Sequence, residues 1–200
     1  MKSLLVYILS YLLGTVSGSY LIGNIFLKVD IRKHGSGNAG TTNALRVLGK
    51  KWGVITFVID FLKGSLIVFI TKYLLNLPEH VIILSILFCV LGHDYPFHMN
   101  FKGGKGVATT MGSLAVFNFK LTFIAWAIWM IVVILSKMAS LGSICFFTAI
   151  IILFTILENY SYDVLTVIWI ISILGIIRHR SNIKRILSGN ENKLGKERKK

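Results

Sequence analysis

FKGGKGVATTMG, residues 101–112, lies between two long apolar runs. Gly103, Gly104 and Gly106 alternate there with Lys102 and Lys105. Glycine leaves backbone N–H groups free to turn toward an anion that bulkier residues would keep away. A helix that follows such a loop presents its positive end to the same place. Here the loop opens directly into apolar sequence. It therefore puts a phosphate-sized pocket where bilayer meets water, which points to chemistry on a phosphorylated, membrane-soluble substrate.

Working outward from that loop, apolar runs recur along the chain. Of 200 residues, 54% are hydrophobic, and the mean hydropathy is +0.73. A soluble domain of this length needs far more polar surface. The reading is an all-α, polytopic membrane protein with seven transmembrane helices in a single domain over 1–200. The spans fall at residues 4–27, 53–75, 81–95, 106–117, 121–135, 141–157 and 164–177. The first run carries glycines and no small-residue cleavage site, so it reads as a span and not as a signal peptide. Cys89 and Cys145 lie inside spans and read as buried side chains. The end of the chain, from roughly residue 190, reads as a flexible basic tail.

Charge gives the orientation. The net charge is +14, and 18 of the 22 Lys and Arg fall in 28–52, 93–105, the turn at Lys137 and the tail from Arg178. Seven spans put all of these on one side. Merging the fourth and fifth spans across Asn118 and Lys120 would oppose the tail cations to those of the first loop. The positive-inside rule disfavours that. The N-terminus is then outside and the C-terminus cytoplasmic, with the polar motifs on the cytoplasmic side.

Three polar constellations fall on that side. HGSGNAGTTNALR, residues 34–46, supplies hydroxyls and amides from Ser36, Asn38, Thr42 and Asn43, and Arg46 can grip a phosphate bidentately. The second, GHDYPFHMNFKGGKGVAT, does not match the nucleotide-binding pattern G-x-x-x-x-G-K-[ST], because Lys105 is followed by glycine. It still suits one phosphate through Gly103, Gly104 and Gly106, with Lys102 or Lys105 adding charge; His93 reads as a turn residue. In the third, RHRSNIKRILSGNENK, His179 and Asn182 are three apart and share a helix face. Glu191 reads as a structural partner for Arg or Lys. Asp60 and Lys63 lie three apart within the second span and read as a structural pair. Ser140 and Ser143 open the sixth span as caps, Ser143 with a smaller claim to line the site.

What is absent narrows the chemistry. Clustered carboxylates for Mg²⁺, zinc-ligand spacing and a G-x-S-x-G elbow are all missing. So is an H-x-x-x-x-D pair. No metal and no cofactor are expected, and nothing points to nucleic acid. A cationic, glycine-lined pocket suits a reaction whose donor is already activated and needs positioning more than acid–base help.

The three blocks, with IDFLKG at 59–64, resemble the bacterial acyl-phosphate:glycerol-3-phosphate acyltransferases, the PlsY family, over essentially the whole chain. The resemblance implies acyl transfer from acyl phosphate to the 1-hydroxyl of sn-glycerol 3-phosphate. The products would be 1-acylglycerol 3-phosphate (lysophosphatidic acid) and phosphate, the first acylation of bacterial phospholipid synthesis. It implies that Ser36, Arg46 and Lys105 bind phosphate and orient substrate. Gly103, Gly104 and Gly106 would form the acyl-phosphate loop. His179 and Asn182 would complete the glycerol-phosphate pocket, and Glu191 would serve integrity. Membrane lipids and a soluble enzyme that generates acyl phosphate are the expected partners.

Rival readings remain distinguishable. A phosphate or organophosphate transporter or channel predicts flux without phosphate release, but the chain shows no internal repeat. A CDP-alcohol phosphotransferase predicts a metal requirement and an aspartate cluster. A lipid-binding scaffold has no need of His179 and Asn182.

Overall fold

The computed structural model of the protein describes residues 2–195. Residues 196–200 of the expected tail lie outside the described residues. The described chain is helical at each of the apolar runs. In order these are α1 (Lys2–Thr15), α2 (Gly18–Leu21, continued by a π turn at Ile22–Phe26), α3 (Thr41–Val47), α4 (Lys50–Phe69, continued by a π turn at Ile70–Leu74) and α5 (Glu79–Asp94). Then follow α6 (Val107–Phe117), α7 (Phe119–Ser136), α8 (Ala139–Ile156), α9 (Tyr162–Arg178) and α10 (Arg180–Leu187). Contacts divide the chain into two compact units, Met1–Phe117 and Asn118–Lys200.

Among the described residues, Lys50–Leu74, Glu79–Met99, Phe119–Ser136 and Ala139–Ile156 are long and apolar enough to cross a membrane. Two bent pairs, Ser3–Thr15 with Gly18–Phe26 (45°) and Tyr162–Arg178 with Arg180–Leu187 (54°), bring the number of candidate spans to six. Val107–Phe117, at 11 residues, falls short of the ~20 that a bilayer needs. The protein is thus an all-helical, multi-pass membrane protein.

The first span is not the continuous helix expected over 4–27. It breaks at Val16 and Ser17, and the reason lies in α4. Every helix end leaves backbone groups without helical partners, and in hydrocarbon each must be satisfied. Lys63 Nζ takes the carbonyls of Gly14 (2.7 Å) and Val16 (2.5 Å) at the end of α1. Asp60 Oδ1 accepts the Gly18 N–H (3.2 Å) at the start of α2. The expected Asp60–Lys63 pair forms, at 3.3 Å, with both side chains buried. The cation thus meets a helix C-terminus and the anion a helix N-terminus, the favourable sense for both dipoles.

Within the first unit, helices meet through bare backbone. A side chain at Gly14 would strike the Cys89 carbonyl on α5, and one at Gly92 would strike the Tyr11 carbonyl on α1. On the other flank, Gly64 faces the Thr109 carbonyl of α6 and Gly112 faces the Phe61 carbonyl of α4. Ser65 Oγ donates to the Gly112 carbonyl at 3.0 Å across that contact. Such close approach is how membrane helices gain contact when lipid is as apolar as they are.

In the second unit, Asn118 stops the preceding apolar run by capping α7. Its Oδ1 accepts the Leu121 N–H (3.1 Å), and its Nδ2 donates to Tyr160 (2.9 Å) and Glu158 (3.3 Å). Lys137 closes α7 in the left-handed region (φ 59°). Gly175 of α9 lies flush on the buried Phe147 ring of α8.

Candidate active site

The first polar loop folds around Asn43. Its buried amide accepts the Ser36 N–H (2.8 Å) and donates to the carbonyls of Ile31 (3.2 Å) and His34 (3.1 Å). Gly35 sits at φ 61°, in the left-handed region, and a Cβ there would strike Asn43 Oδ1. Asn43, expected at the substrate, therefore serves as the post of the loop. Ser36, Thr42 and Arg46 are exposed around it.

Two ties join this loop to the second. Asn38 Nδ2 donates to the Gly103 carbonyl (3.3 Å), and Arg32 donates to the Met99 carbonyl (3.0 Å). Ile31, Ala39, Ala44 and Met99 close a small buried cluster between them. Asp30 caps the turn at Ile31–Lys33 by accepting the Arg32 N–H, and it pairs with the Arg32 guanidinium at 2.9 Å. The Arg32 hydrogen bond holds the Asp30 carboxyl below the usual carboxylate range. The same guanidinium lies 5.0 Å from the Tyr20 ring centroid. Neither Asp30 nor Arg32 was among the residues expected at the site, although an Asp immediately before a helical turn is a capping signal.

The glycine-rich loop departs from expectation. The Gly103 N–H donates to the Asp94 carbonyl (3.1 Å) and the Gly104 N–H to the His93 carbonyl (3.0 Å). Both were expected to turn toward an anion; instead they tie the loop back onto the end of α5. Both residues are glycine because there is no room for more. A Cβ at Gly103 would strike the His93 carbonyl, and one at Gly104 the His93 imidazole. Gly106 stands at φ 70° and turns the chain into α6. The opening turn of α6 then faces this loop, with Lys105 half-buried and Lys102 exposed beside it. First-turn N–H groups of a helix lack helical acceptors, which makes this the favourable seat for an anion.

The second unit gathers the third motif around Glu191. Its carboxylate accepts from Asn182 Nδ2 (2.8 Å), Ser140 Oγ (3.0 Å) and Arg185 Nε (2.9 Å). The Leu194 N–H donates to the Lys137 carbonyl at 2.7 Å, so this part of the basic tail lies along the α7–α8 turn. His179 sits at the bend between α9 and α10, buried against Phe147. Its Nδ1 lies 2.7 Å from the Gly175 carbonyl. A carbonyl only accepts, so Nδ1 carries a proton and Nε2 is the nitrogen whose protonation can vary. Ser143, with a claim on the site, donates to the Ala139 carbonyl (2.8 Å) inside its own helix. Among the described residues no three His, Cys, Asp or Glu gather as metal ligands.

The chain is similar to known proteins over nearly its whole length. The family described as glycerol-3-phosphate acyltransferase matches residues 4–189. A glycerol-3-phosphate acyltransferase of Thermoanaerobacter pseudethanolicus is 41% identical over 197 residues, covering 98% of each chain. That of Halalkalibacterium halodurans is 43% identical over 195 residues, covering 94% of each. A crystal structure of PlsY, an integral membrane glycerol 3-phosphate acyltransferase in its glycerol 3-phosphate form, superimposes with a TM-score of 0.89 at 38% identity. It covers 98% of this chain and 96% of that one. The lysophosphatidic acid form of PlsY gives 0.86 at 37% identity, with the same coverage.

Proposed function

The chain belongs to the glycerol-3-phosphate acyltransferase family, and from that premise we propose how its own residues carry out the transfer. Acyl transfer to glycerol 3-phosphate is the activity, and acyl phosphate is the donor. The hydroxyl oxygen on carbon 1 of glycerol 3-phosphate attacks the acyl carbonyl carbon. The bond from that carbon to the phosphate oxygen breaks, and inorganic phosphate leaves. A mixed anhydride needs little help beyond orientation and charge neutralisation. The departing phosphate takes the hydroxyl proton, so no protein base is required.

Lys105 and the opening turn of α6 hold the acyl phosphate, with Lys102 adding charge at the rim. Gly103, Gly104 and Gly106 give the loop its close path, and Asn38 holds it from the first motif. Ser36, Thr42 and Arg46 meet phosphate and orient substrate, while Asn43 keeps their loop in shape. His179 and Asn182 bind glycerol 3-phosphate, with Glu191 setting Asn182. The observation that carries this reading is the joining of the first two motifs at the start of α6, through Asn38 and Gly103 (3.3 Å) and through Arg32 and Met99 (3.0 Å).

The finer topology belongs to the same proposal. Seven spans, counting short α6 as one, leave the N-terminus outside and the C-terminus cytoplasmic. The site then faces the cytoplasm of a bacterial inner membrane, where a soluble enzyme can supply acyl phosphate.

The test is a phosphate-release assay on purified protein with palmitoyl phosphate and glycerol 3-phosphate, in excess chelator. Wild type is expected to release phosphate and form lysophosphatidic acid in equal amounts, and to be inert with palmitoyl-CoA. Arg46→Ala and Lys105→Ala each lose about a hundredfold or more, the scale of removing a charge-stabilising donor. Flux of phosphate into proteoliposomes without any release reaction would overturn the proposal in favour of a transporter.

A further inference from the structure

The pair that caps the broken first span has a third member. Lys63 Nζ also lies 2.9 Å from His93 Nδ1, and Asp60 Oδ1 lies 3.7 Å from the same nitrogen. All three side chains are buried. An ammonium group can only donate, so Nδ1 accepts and the imidazole proton sits on Nε2. A neutral imidazole leaves one anion and one cation in the cluster. A protonated one would add an unbalanced charge inside the membrane domain.

His93 meets the glycine-rich loop twice. Its carbonyl accepts the Gly104 N–H at 3.0 Å. The Nε2 side of its ring fills the space where a Gly104 side chain would stand. The loop is thus held by main chain on one side and by an imidazole on the other. That imidazole is in turn oriented by Lys63, which is fixed by the carbonyls of Gly14 and Val16 and by Asp60.

We propose that Asp60, Lys63 and His93 form a positioning device for the donor loop. The imidazole, fixed by Lys63 with its proton on Nε2, sets the path of Gly103 to Gly106 and so the placement of Lys105 at the acyl phosphate. The inference rests on the reading of this loop as the acyl-phosphate site. None of the three residues touches the reacting atoms; they act through the loop.

The experiment uses full-length protein in detergent and two readouts. One is the KM for palmitoyl phosphate and for glycerol 3-phosphate; the other is amide hydrogen exchange across residues 103–106. His93→Asn keeps an acceptor for Lys63 and empties the space against Gly104. It is expected to raise the KM for palmitoyl phosphate about tenfold, leave that for glycerol 3-phosphate within about threefold, and speed exchange in the loop. Adding Gly104→Ala to His93→Asn places a methyl in the vacated space and recovers part of the loss, which a general loss of stability would not allow. Should His93→Asn fail to fold, Asp60→Asn with Lys63→Met removes both charges together and frees the imidazole, with the same expected split. Folded variants with wild-type loop exchange and wild-type KM for palmitoyl phosphate would overturn the proposal. A wild type that releases no phosphate would sink the substrate reading instead, and loop exchange in the variants would still decide whether the cluster positions the loop.

Discussion

Single residues in this protein are set by close contact with their neighbours more than by surface chemistry. Gly104 is the sharpest case, since any side chain there displaces the loop from His93. Gly104→Ala in the otherwise native chain is expected to cost about a hundredfold in phosphate release, the effect of an ångström-scale misplacement, and to lower the melting temperature as overpacking does. Asp30 gives a prediction of a different kind. Its carboxyl is held down by the Arg32 hydrogen bond, so it binds protons less readily folded than unfolded. Stability from that pair is complete above the ordinary Asp range of about 3.9 and is lost as pH falls through the lowered folded value. Asp30→Asn should therefore melt lower than wild type at neutral pH, and the gap should narrow in strong acid. Differential scanning fluorimetry across pH reads both. Asp30 stands immediately before its turn, where a cap belongs, but was not read as one. The tie from Arg32 to Met99 was not legible, because it depends on a carbonyl 67 residues away.

Among elements, helix existence was legible and helix continuity was not. The apolar runs gave α4 to α9 to within a few residues and α1 with α2 as a single run, while α3 and α10 lie outside them. The break at Val16–Ser17 had no proline to announce it, and Gly14 and Gly18 read equally well as packing positions. Locally the break is marked only by Ser17, whose Oγ caps α2 by accepting the Tyr20 N–H (3.4 Å); its other supports, Asp60 and Lys63, arrive from α4, a long-range event. The pair itself was visible from its spacing; its partners on the first span and His93 were not. Lys63→Met leaves Asp60 without its cation and two carbonyls without a donor, and should destabilise the fold by about 3–5 kcal/mol. The double change with Asp60→Asn should cost clearly less, as unfolding in a mild detergent series would show. The clip at Glu191 is the counterpart in the second unit. Glu191→Ala frees Asn182, Arg185 and Ser140 together and should cost about 2–4 kcal/mol, since a buried donor left unpaired is costly. The acid was legible as a partner for a basic side chain. That it also seats Asn182 was not, since it required the chain to turn back after α10.

For the molecule as a whole, composition decided the class and charge distribution decided the proposed orientation. Maleimide labelling tests it in a chain whose Cys89 and Cys145 are first replaced by alanine. Cysteine at exposed Lys102 or Gly189 is expected to react with an impermeant reagent only in inside-out vesicles, and cysteine at Asn76 only in right-side-out ones. The reversed pattern would overturn the orientation. The count of spans was the least legible property at this scale, because α6 is short and the first and last spans are bent. The capped break also has a bearing on biosynthesis. Gly18 and its acceptor Asp60 are 42 residues apart, so at roughly 5–20 residues per second the ribosome delivers the acceptor some two to eight seconds after the glycine. During that interval neither Asp60 nor Lys63 exists to receive the backbone groups freed at the break. The bend in the first segment is therefore complete only once α4 lies beside it.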